Sequence, residues 1–382
     1  MKIWLVSSEY PTSHDPMRGI FVFDQAKNLQ NSGHDVVVMV LDLRSILRKR
    51  KLGRFSYIYR DVKYEIISIP VGNVPYKIFD LTGAAAFNIL YKSMLKKYEP
   101  PDIVHAHFYE IASIVARSNL EKVPFLITEH SSVIHNISSN NKLWQRMNYA
   151  YQKANEVISV SGALAKVINN QFNIKVEIIP NIIDLSIFYY KKAENKTPEK
   201  KITFVSTGNL VKIKNIDILI KAFAKAFSDN DEVELLICGE GPERKKITDL
   251  IEKLELKTKV RLLGQQSRLE LARLYEISNS FVLVSQSETF GVAYVEALAS
   301  GLPVIATKVG GPIDFVNSTN GFLVDVSNFN DIVKTLKKMA QQWKYFDHKK
   351  ISENICQKFA PERIVEQLEY IYSRNINTKI CK

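Results

Sequence analysis

Residues 285–303, SQSETFGVAYVEALASGLP, decide how this chain is read. The apolar run over 281–284 before them predicts a buried strand, and 291–300 predicts a helix. Gly301 is placed to cap that helix at its C-terminus, Pro303 stops it, and 303–306 opens another strand. The product is a βαβ unit of a parallel sheet. In open α/β sheets ligands bind in the crevice at the carboxyl ends of the strands, where a helix N-terminus offers N–H groups to an anion. Glu288 falls on that strand-to-helix turn, and Glu296 follows eight residues later on the helix. Taken as helical throughout, at about 1.5 Å per residue, the stretch separates the two carboxylates by about 12 Å. That is beyond the roughly 5–9.5 Å of a glycosidase acid and base. Two separate contacts with one long ligand fit better.

The string E-T-F-G-V-A-Y-V-E, continued by A-L-A-S-G-L-P-V-I-A, closely resembles the E-x7-E signature of the retaining family 4 (group 1) glycosyltransferases. The resemblance implies an α/β chain of two doubly wound parallel-sheet, Rossmann-like domains facing a cleft, the GT-B architecture. It also implies a sugar passed from a nucleotide diphosphate sugar to a hydroxyl.

Size and composition agree with two domains. The chain has 382 residues, 46% of them hydrophobic, and no low-complexity tract, which suits two globular cores. Cys238, Cys356 and Cys381 are scattered and form no C-x-x-C, so neither a disulfide framework nor a zinc site is suggested. Met1 leads directly into a short strand pattern, with no signal-peptide character, and no stretch of about 20 apolar residues could span a bilayer. The expected location is the cytoplasm, with the inner membrane face as a peripheral alternative. Lys and Arg number 52 against 40 Asp and Glu, a net charge of +12. That excess suits a nucleotide-sugar donor, an anionic membrane surface or nucleic acid, and says nothing of fold.

Strand patterns recur over 2–7, 34–40, 64–69, 102–107, 124–128, 157–160 and 176–179, separated by helical patterns such as 21–32. This alternation predicts a parallel, doubly wound sheet. Phe87, Leu90, Tyr91, Met94, Leu95 and Tyr98 take the spacing of a buried helical stripe, with Lys92, Lys96 and Lys97 opposite. The polar stretch over 189–201 reads as an exposed connection. A second series follows over 202–206, 233–238, 260–263, 281–284, 304–306 and 321–324. The domains are set at 1–182, on the acceptor side, and 183–360, binding the nucleotide sugar. By the resemblance, a helix over 361–382 crosses back to the first.

Several turns carry candidate chemistry. Residues 8–19, SEYPTSHDPMRG, join the first strand to the first helix, and Gly19 allows close backbone approach there. No G-x-G-x-x-G is present. His105 and His107 lie two apart on a strand and share a face, a spacing also compatible with a metal, though no Cys or carboxylate accompanies them. His130 lies just past a strand's C-terminal end and matches the family histidine that contacts the donor sugar. Asn181, in I-I-P-N-I-I-D, resembles an interdomain element in which Ile182 replaces the usual Gly.

In the second half, Lys212 and Lys214 stand beside a helix start near Asn215, suited to a diphosphate whose charge grows as it leaves. Relatives carry an Arg where this chain has Asn209, which removes a bidentate phosphate contact; Lys212 or Arg18 are the candidates to compensate. By resemblance, Gly239, Glu240 and Gly264 line the nucleotide-sugar pocket and Glu296 holds the ribose. Glu288 then contacts the sugar hydroxyls, beside the backbone of Phe290, Gly291 and Val292, and Gly310 and Gly311 border the same site. His130, Glu288 and Lys214 are the catalytic candidates. No cofactor and no metal is expected: Asp229-Asn-Asp231 matches D-x-D but lies at the wrong end of the sheet. The donor expected is UDP- or GDP-linked, and the acceptor a sugar or lipid-linked sugar of cell-surface polysaccharide or glycolipid synthesis. The basic run over 44–54 reads as a solvated loop, with an anionic membrane face or a lipid-diphosphate headgroup as alternatives. The rival functions are a nucleotide-sugar epimerase on the same fold, a peripheral membrane-binding protein without catalysis, and a nucleic-acid binder.

Overall fold

The computed structural model describes all residues except 13–14, 48–49, 121–122, 139–140, 192–200, 231 and 381–382. The chain divides into two compact units, Met1–Ile182 with Pro361–Lys382, and Ile183–Ala360.

The first unit holds β1 (Lys2–Ser7), β2 (Asp35–Asp42), β3 (Gly53–Tyr59), β4 (Val62–Ser68), β5 (Ile103–His107), β6 (Phe125–Glu129), β7 (Glu156–Ser159) and β8 (Glu177–Ile178). Their order in the sheet is β3-β4-β2-β1-β5-β6-β7-β8. Every pairing is parallel except β3 with β4. The inner strands are nearly continuous apolar runs, as expected of a sheet covered on both faces: Ile3 to Val6 and Val36 to Leu41 are all buried. The last helix, Pro361–Ile380, places Ile364, Leu368, Ile371 and Tyr372 in the same core cluster as Ile3, Leu5, Val38 and Leu29.

The second unit holds β9 (Ile202–Thr207), β10 (Val233–Cys238), β11 (Val260–Gly264), β12 (Ser280–Leu283), β13 (Val304–Thr307) and β14 (Gly321–Val324). The order β11-β10-β9-β12-β13-β14 is parallel throughout. Renumbered within the unit it is 3-2-1-4-5-6, the dinucleotide-fold order whose switch point lies between its first and fourth strands. In this unit the switch falls between β9 and β12, and in the first unit between β1 and β5.

Three expectations need correction. The strand pattern over 64–69 corresponds to β4, but β3, its hairpin partner, has no counterpart in the sequence pattern: the basic run reads as loop up to Arg54, and β3 begins at Gly53. The two-residue turn between them, Arg60-Asp61, has positive φ at both positions (46° and 68°), the geometry that Asn-Gly normally announces. The helix carrying the Phe87 stripe is Tyr76–Met94, so Leu95 to Tyr98 lie beyond it, and the Tyr98 hydroxyl donates to Glu65 Oε1 at 2.7 Å. The helix after Glu288 starts only at Val292, so the eight residues from Glu288 to Glu296 are not helical throughout and the 12 Å separation loses its basis. The connection over 189–201 and the second Asp of the D-x-D triplet, at 231, lie largely or wholly outside the described residues.

Candidate functional site

Both switch points gather charged or titratable side chains, and the one in the second unit is the more fully built. Gly208 and Asn209 follow β9, and a short turn, Lys212–Lys214, leads through Asn215 into the helix Ile216–Ala226. Asn215 caps that helix in the left-handed conformation (φ 52°), and its side-chain amide donates to the Val284 carbonyl at 3.0 Å. The Gln286 N–H donates to the Ile213 carbonyl at 2.8 Å. These two bonds tie the lysine turn to the end of β12, so Lys214 reaches Glu288: its Nζ lies 2.6 Å from Glu288 Oε1. The Ser285 hydroxyl donates to the same oxygen at 2.8 Å.

The Glu288 segment is gripped by neighbouring backbone. Gly310 (φ 59°) lies so close that a Cβ there would fall 1.5 Å from the Glu288 carbonyl oxygen, and the Gly311 N–H donates to that oxygen at 3.3 Å. Thr307 Oγ1 donates to the Ser285 carbonyl at 2.7 Å, and the Tyr294 hydroxyl to the Leu283 carbonyl at 2.7 Å. Glu288 is thus a nearly buried carboxylate, 8% exposed, held in place from three strands. The helix Val292–Ala299 starts at Gly291, whose φ of 91° opens its N-terminus. The first N–H groups of a helix have no acceptor within it and carry partial positive charge. Phe290 offers only backbone here, because its ring is buried against Phe359 and Phe315.

Glu296 lies on the buried face of that helix, 3% exposed. Its charge, after burial, is the second cause holding the Tyr275 phenol well above its ordinary pKa. Gly239 packs so tightly under the β9 turn that a Cβ would meet the Gly208 carbonyl oxygen at 2.0 Å, and Gly264 faces Glu240 Oε1. Glu240 is exposed and pairs with Arg244 at 2.5 Å. Lys212 and Asn209 are exposed on their turns. Arg18, one of the residues weighed as compensating for Asn209, is paired with Glu9 at 2.9 Å.

In the first unit the switch point gathers Gly19, His107 and His130. Gly19 (φ 63°) precedes the helix Ile20–Asn31, and a Cβ there would meet the Glu9 backbone at 2.9 Å. Phe21, the second residue of that helix, lays its ring 4.6 Å from that of His130, and Phe108 lies 4.9 Å away. Phe108 has φ 67°, a strained conformation for an aromatic residue, immediately after His107. His107 Nδ1 and His130 Nε2 are 3.0 Å apart, one donating to the other. Burial pushes the pKa of His107 down to about 3 and holds that of His130, though partly exposed, well below the ordinary imidazole value. Both rings are therefore neutral at physiological pH. His105 is structural, bonded to Thr128 Oγ1 and to the Tyr372 hydroxyl, each at 2.7 Å. Among the described residues no group of three or more His, Cys, Asp or Glu could hold a metal ion.

Glu129 is the functional-looking residue the sequence reading missed. It is fully buried on β6, and Oε1 accepts the His130 N–H at 2.9 Å and the Ser131 N–H at 2.8 Å. Oε2 accepts the Tyr151 hydroxyl at 2.7 Å. Burial raises its pKa to about 7 against those hydrogen bonds. Its only sequence signal was a charge at the end of an apolar run, next to a histidine. Ser285 and Thr307, which help fix Glu288, also give no individual signal, whereas Gly310 is expected at the border of the site but not as the backbone against which Glu288 packs.

Two family models match in succession, Glycosyltransferase Family 4 over residues 19–187 and Glycosyl transferases group 1 over residues 190–358. N-acetyl-alpha-D-glucosaminyl L-malate synthase from Bacillus anthracis is 24% identical, over 93% of each chain. Sucrose-phosphate synthase from Thermosynechococcus elongatus superimposes with a TM-score of 0.80 at 20% identity, covering 99% of this chain and 100% of that one. Anabaena HepE, solved in complex with UDP and glucose, gives 0.74 at 20% identity, covering 98% and 99%.

Proposed function

The chain belongs to the family 4 (group 1) glycosyltransferases, retaining enzymes of GT-B architecture that take a sugar from a nucleotide sugar, and on that premise we propose which residues of this chain bind the donor. The observation that carries the reading is the Lys214–Glu288 pair, seated at the β9/β12 switch point between the N-termini of two helices.

A donor diphosphate placed at this point meets Lys214 Nζ and the partial positive charge of both helix starts. All three interact more strongly with the leaving group as its negative charge grows, which is the condition for accelerating the transfer. Glu288, fixed by Ser285 and by the Gly310 backbone, accepts from the hydroxyls of the sugar. Glu296 takes the ribose, and Gly239, Glu240 and Gly264 border the nucleotide. His130, neutral at working pH, serves as a hydrogen-bond partner for a sugar hydroxyl rather than as a cation. The second unit is then the donor domain and the first the acceptor domain. A UDP-linked hexose is the donor we favour over a GDP-linked one, supported by the likeness to HepE with its bound UDP and glucose. The exposed Lys51 and Arg54, in a stretch without an acidic residue from Leu43 to Arg60, support an anionic acceptor, as in the synthesis of a cell-surface polysaccharide or glycolipid.

The test is incubation of the full chain with UDP-hexoses and candidate lipid-linked or soluble acceptors, following product and released UDP by NMR. Transfer with the donor's anomeric configuration kept, and its loss in Glu288→Gln, is the expected result. Conversion of the donor to an epimer without any acceptor, or full transfer by Glu288→Gln, overturns the reading.

A further inference from the structure

Three histidine rings stand in a row at the switch point of the first unit. His105 and His107 share a face of β5, and β6 runs beside it with Thr128 opposite His107. His130, two residues past Thr128, turns to the same side. The rings of His105 and His107 stack at 4.9 Å and 22°, and those of His107 and His130 at 5.3 Å and 24°. One end of the row is fixed by the bonds from His105 to Thr128 and Tyr372. The other is fixed through the main chain: Glu129 Oε1 accepts the His130 and Ser131 N–H groups, and the Ser131 hydroxyl caps the turn that follows.

The middle ring decides what the outer one can offer. His107 is 1% exposed; its Nδ1 meets His130 Nε2 at 3.0 Å, and its Nε2 is buried with no hydrogen-bond partner among the described residues. Both rings are neutral, so each carries one N–H. One of those two protons lies in the bond between the rings, which leaves two arrangements. If His130 Nε2 donates, His107 keeps its own proton on Nε2, a buried N–H without an acceptor, and orphaned N–H groups are rarer in folded interiors than unfilled acceptors. If His107 Nδ1 donates, the buried Nε2 is a bare lone pair, and the His130 proton sits on Nδ1. That nitrogen takes no hydrogen bond among the described residues, and His130 is partly exposed.

We propose that His107 is a positioning residue: it donates its Nδ1–H to His130 Nε2 and so fixes His130 as the Nδ1–H tautomer, a hydrogen-bond donor toward substrate. The hydrogen bond made by one nitrogen of an imidazole sets what the other can do. A ring held in this form donates to a hydroxyl oxygen and turns no lone pair toward it, so it recognises the hydroxyl and takes no proton from it. The effect on substrate rests on the reading of His130 as the partner of a sugar hydroxyl; the tautomer does not.

Long-range 1H–15N correlation spectra of the full chain with 15N-labelled histidine read the tautomer of each ring, and spectra of His107→Leu and His130→Asn assign the two. Both rings should carry their proton on Nδ1; His130 with its proton on Nε2 overturns the proposal. In His107→Leu the His130 proton should spread over both nitrogens. Its affinity for UDP-glucose or UDP-N-acetylglucosamine, by calorimetric titration, should fall about fivefold while that for UDP, which has no sugar, stays the same. In His107→Asn an amide N–H can stand where Nδ1–H stood, and this variant should restore the tautomer and most of the affinity. Unchanged sugar-nucleotide affinity in His107→Leu, or an equal loss for UDP and the UDP-sugars in both variants, overturns the positioning role. A wild-type chain that binds none of the three contradicts the donor reading instead, since the tautomer is read in the free chain and stands or falls there.

Discussion

Gly310→Ala tests the claim that Glu288 is held in place by backbone contact. Two costs are separable. The first is conformational: Gly310 has φ 59° and ψ −142°, a combination essentially confined to glycine, where a side chain costs about 1–3 kcal/mol. The second is steric, since the new Cβ would fall 1.5 Å from the Glu288 carbonyl oxygen. To restore a contact of about 3.5 Å that oxygen must retreat by about 2 Å. The retreat loses the Gly311 hydrogen bond, worth about 1 kcal/mol, and adds an overpacking cost of about 1–3 kcal/mol. The total is roughly 3–7 kcal/mol, which for a unit of this size is a fall in Tm of roughly 10 °C or more. Gly33→Ala is the control. Its φ is +85° with nothing within 4 Å of the new Cβ, so it carries the conformational cost alone, about 4 °C. Because Lys214 pairs with the displaced residue, Gly310→Ala should also lower kcat/KM about 100-fold or more, the usual consequence of a displacement of about 1 Å at a reacting group. Differential scanning calorimetry of both variants and donor turnover by Gly310→Ala are the assays. If Gly310→Ala melts no lower than Gly33→Ala and turns over donor normally, the steric argument is wrong.

Two further outcomes follow from individual residues. Glu129 has its folded pKa raised to about 7 from an ordinary 4.5, so its contribution to stability is whole below about pH 4.5 and is lost as pH rises through 7, about 3 kcal/mol in all. Glu129→Gln keeps the acceptor for the His130 and Ser131 N–H groups but cannot ionise, so its Tm relative to the parent should climb between pH 5 and 8; a difference independent of pH would contradict this. Asn209→Arg restores a bidentate phosphate ligand on an exposed turn, and a charged hydrogen bond of about 1.5–3 kcal/mol should tighten donor binding about tenfold or more in calorimetric titration; unchanged affinity would show that the turn does not face the diphosphate.

The fold was legible where glycine and proline punctuate apolar runs. Gly301 and Pro303 bound the Glu296 helix, and the strand starts of the second unit fell within a residue or two of those observed, since buried parallel strands are unbroken apolar runs. The hairpin was not legible, because its turn uses Arg60-Asp61 in a conformation that glycine or asparagine usually signals, and because β3 lies at the sheet edge with alternate residues exposed. For the site, Lys214 and Glu288 were readable from their positions after strand ends. Their mutual contacts were not, since Ser285 follows β12 while Thr307 ends β13 and Gly310 comes after it, and the two segments meet only through tertiary packing. Glu129 was hidden for the same reason: its partner Tyr151 lies on another element, and only burial gives the carboxyl its raised pKa.

The central claim is that the turn between β9 and its helix, with Glu288, binds a nucleotide diphosphate sugar. Thermal denaturation with a panel of UDP-, GDP- and ADP-sugars measures it most directly, because a donor at about 100 times its Kd adds about 2.7 kcal/mol of stability. The account predicts that one base class, UDP-sugars, raises the Tm of the wild-type chain and that the rise disappears in Lys214→Ala. No rise with any nucleotide sugar, or an equal rise in Lys214→Ala, would contradict it.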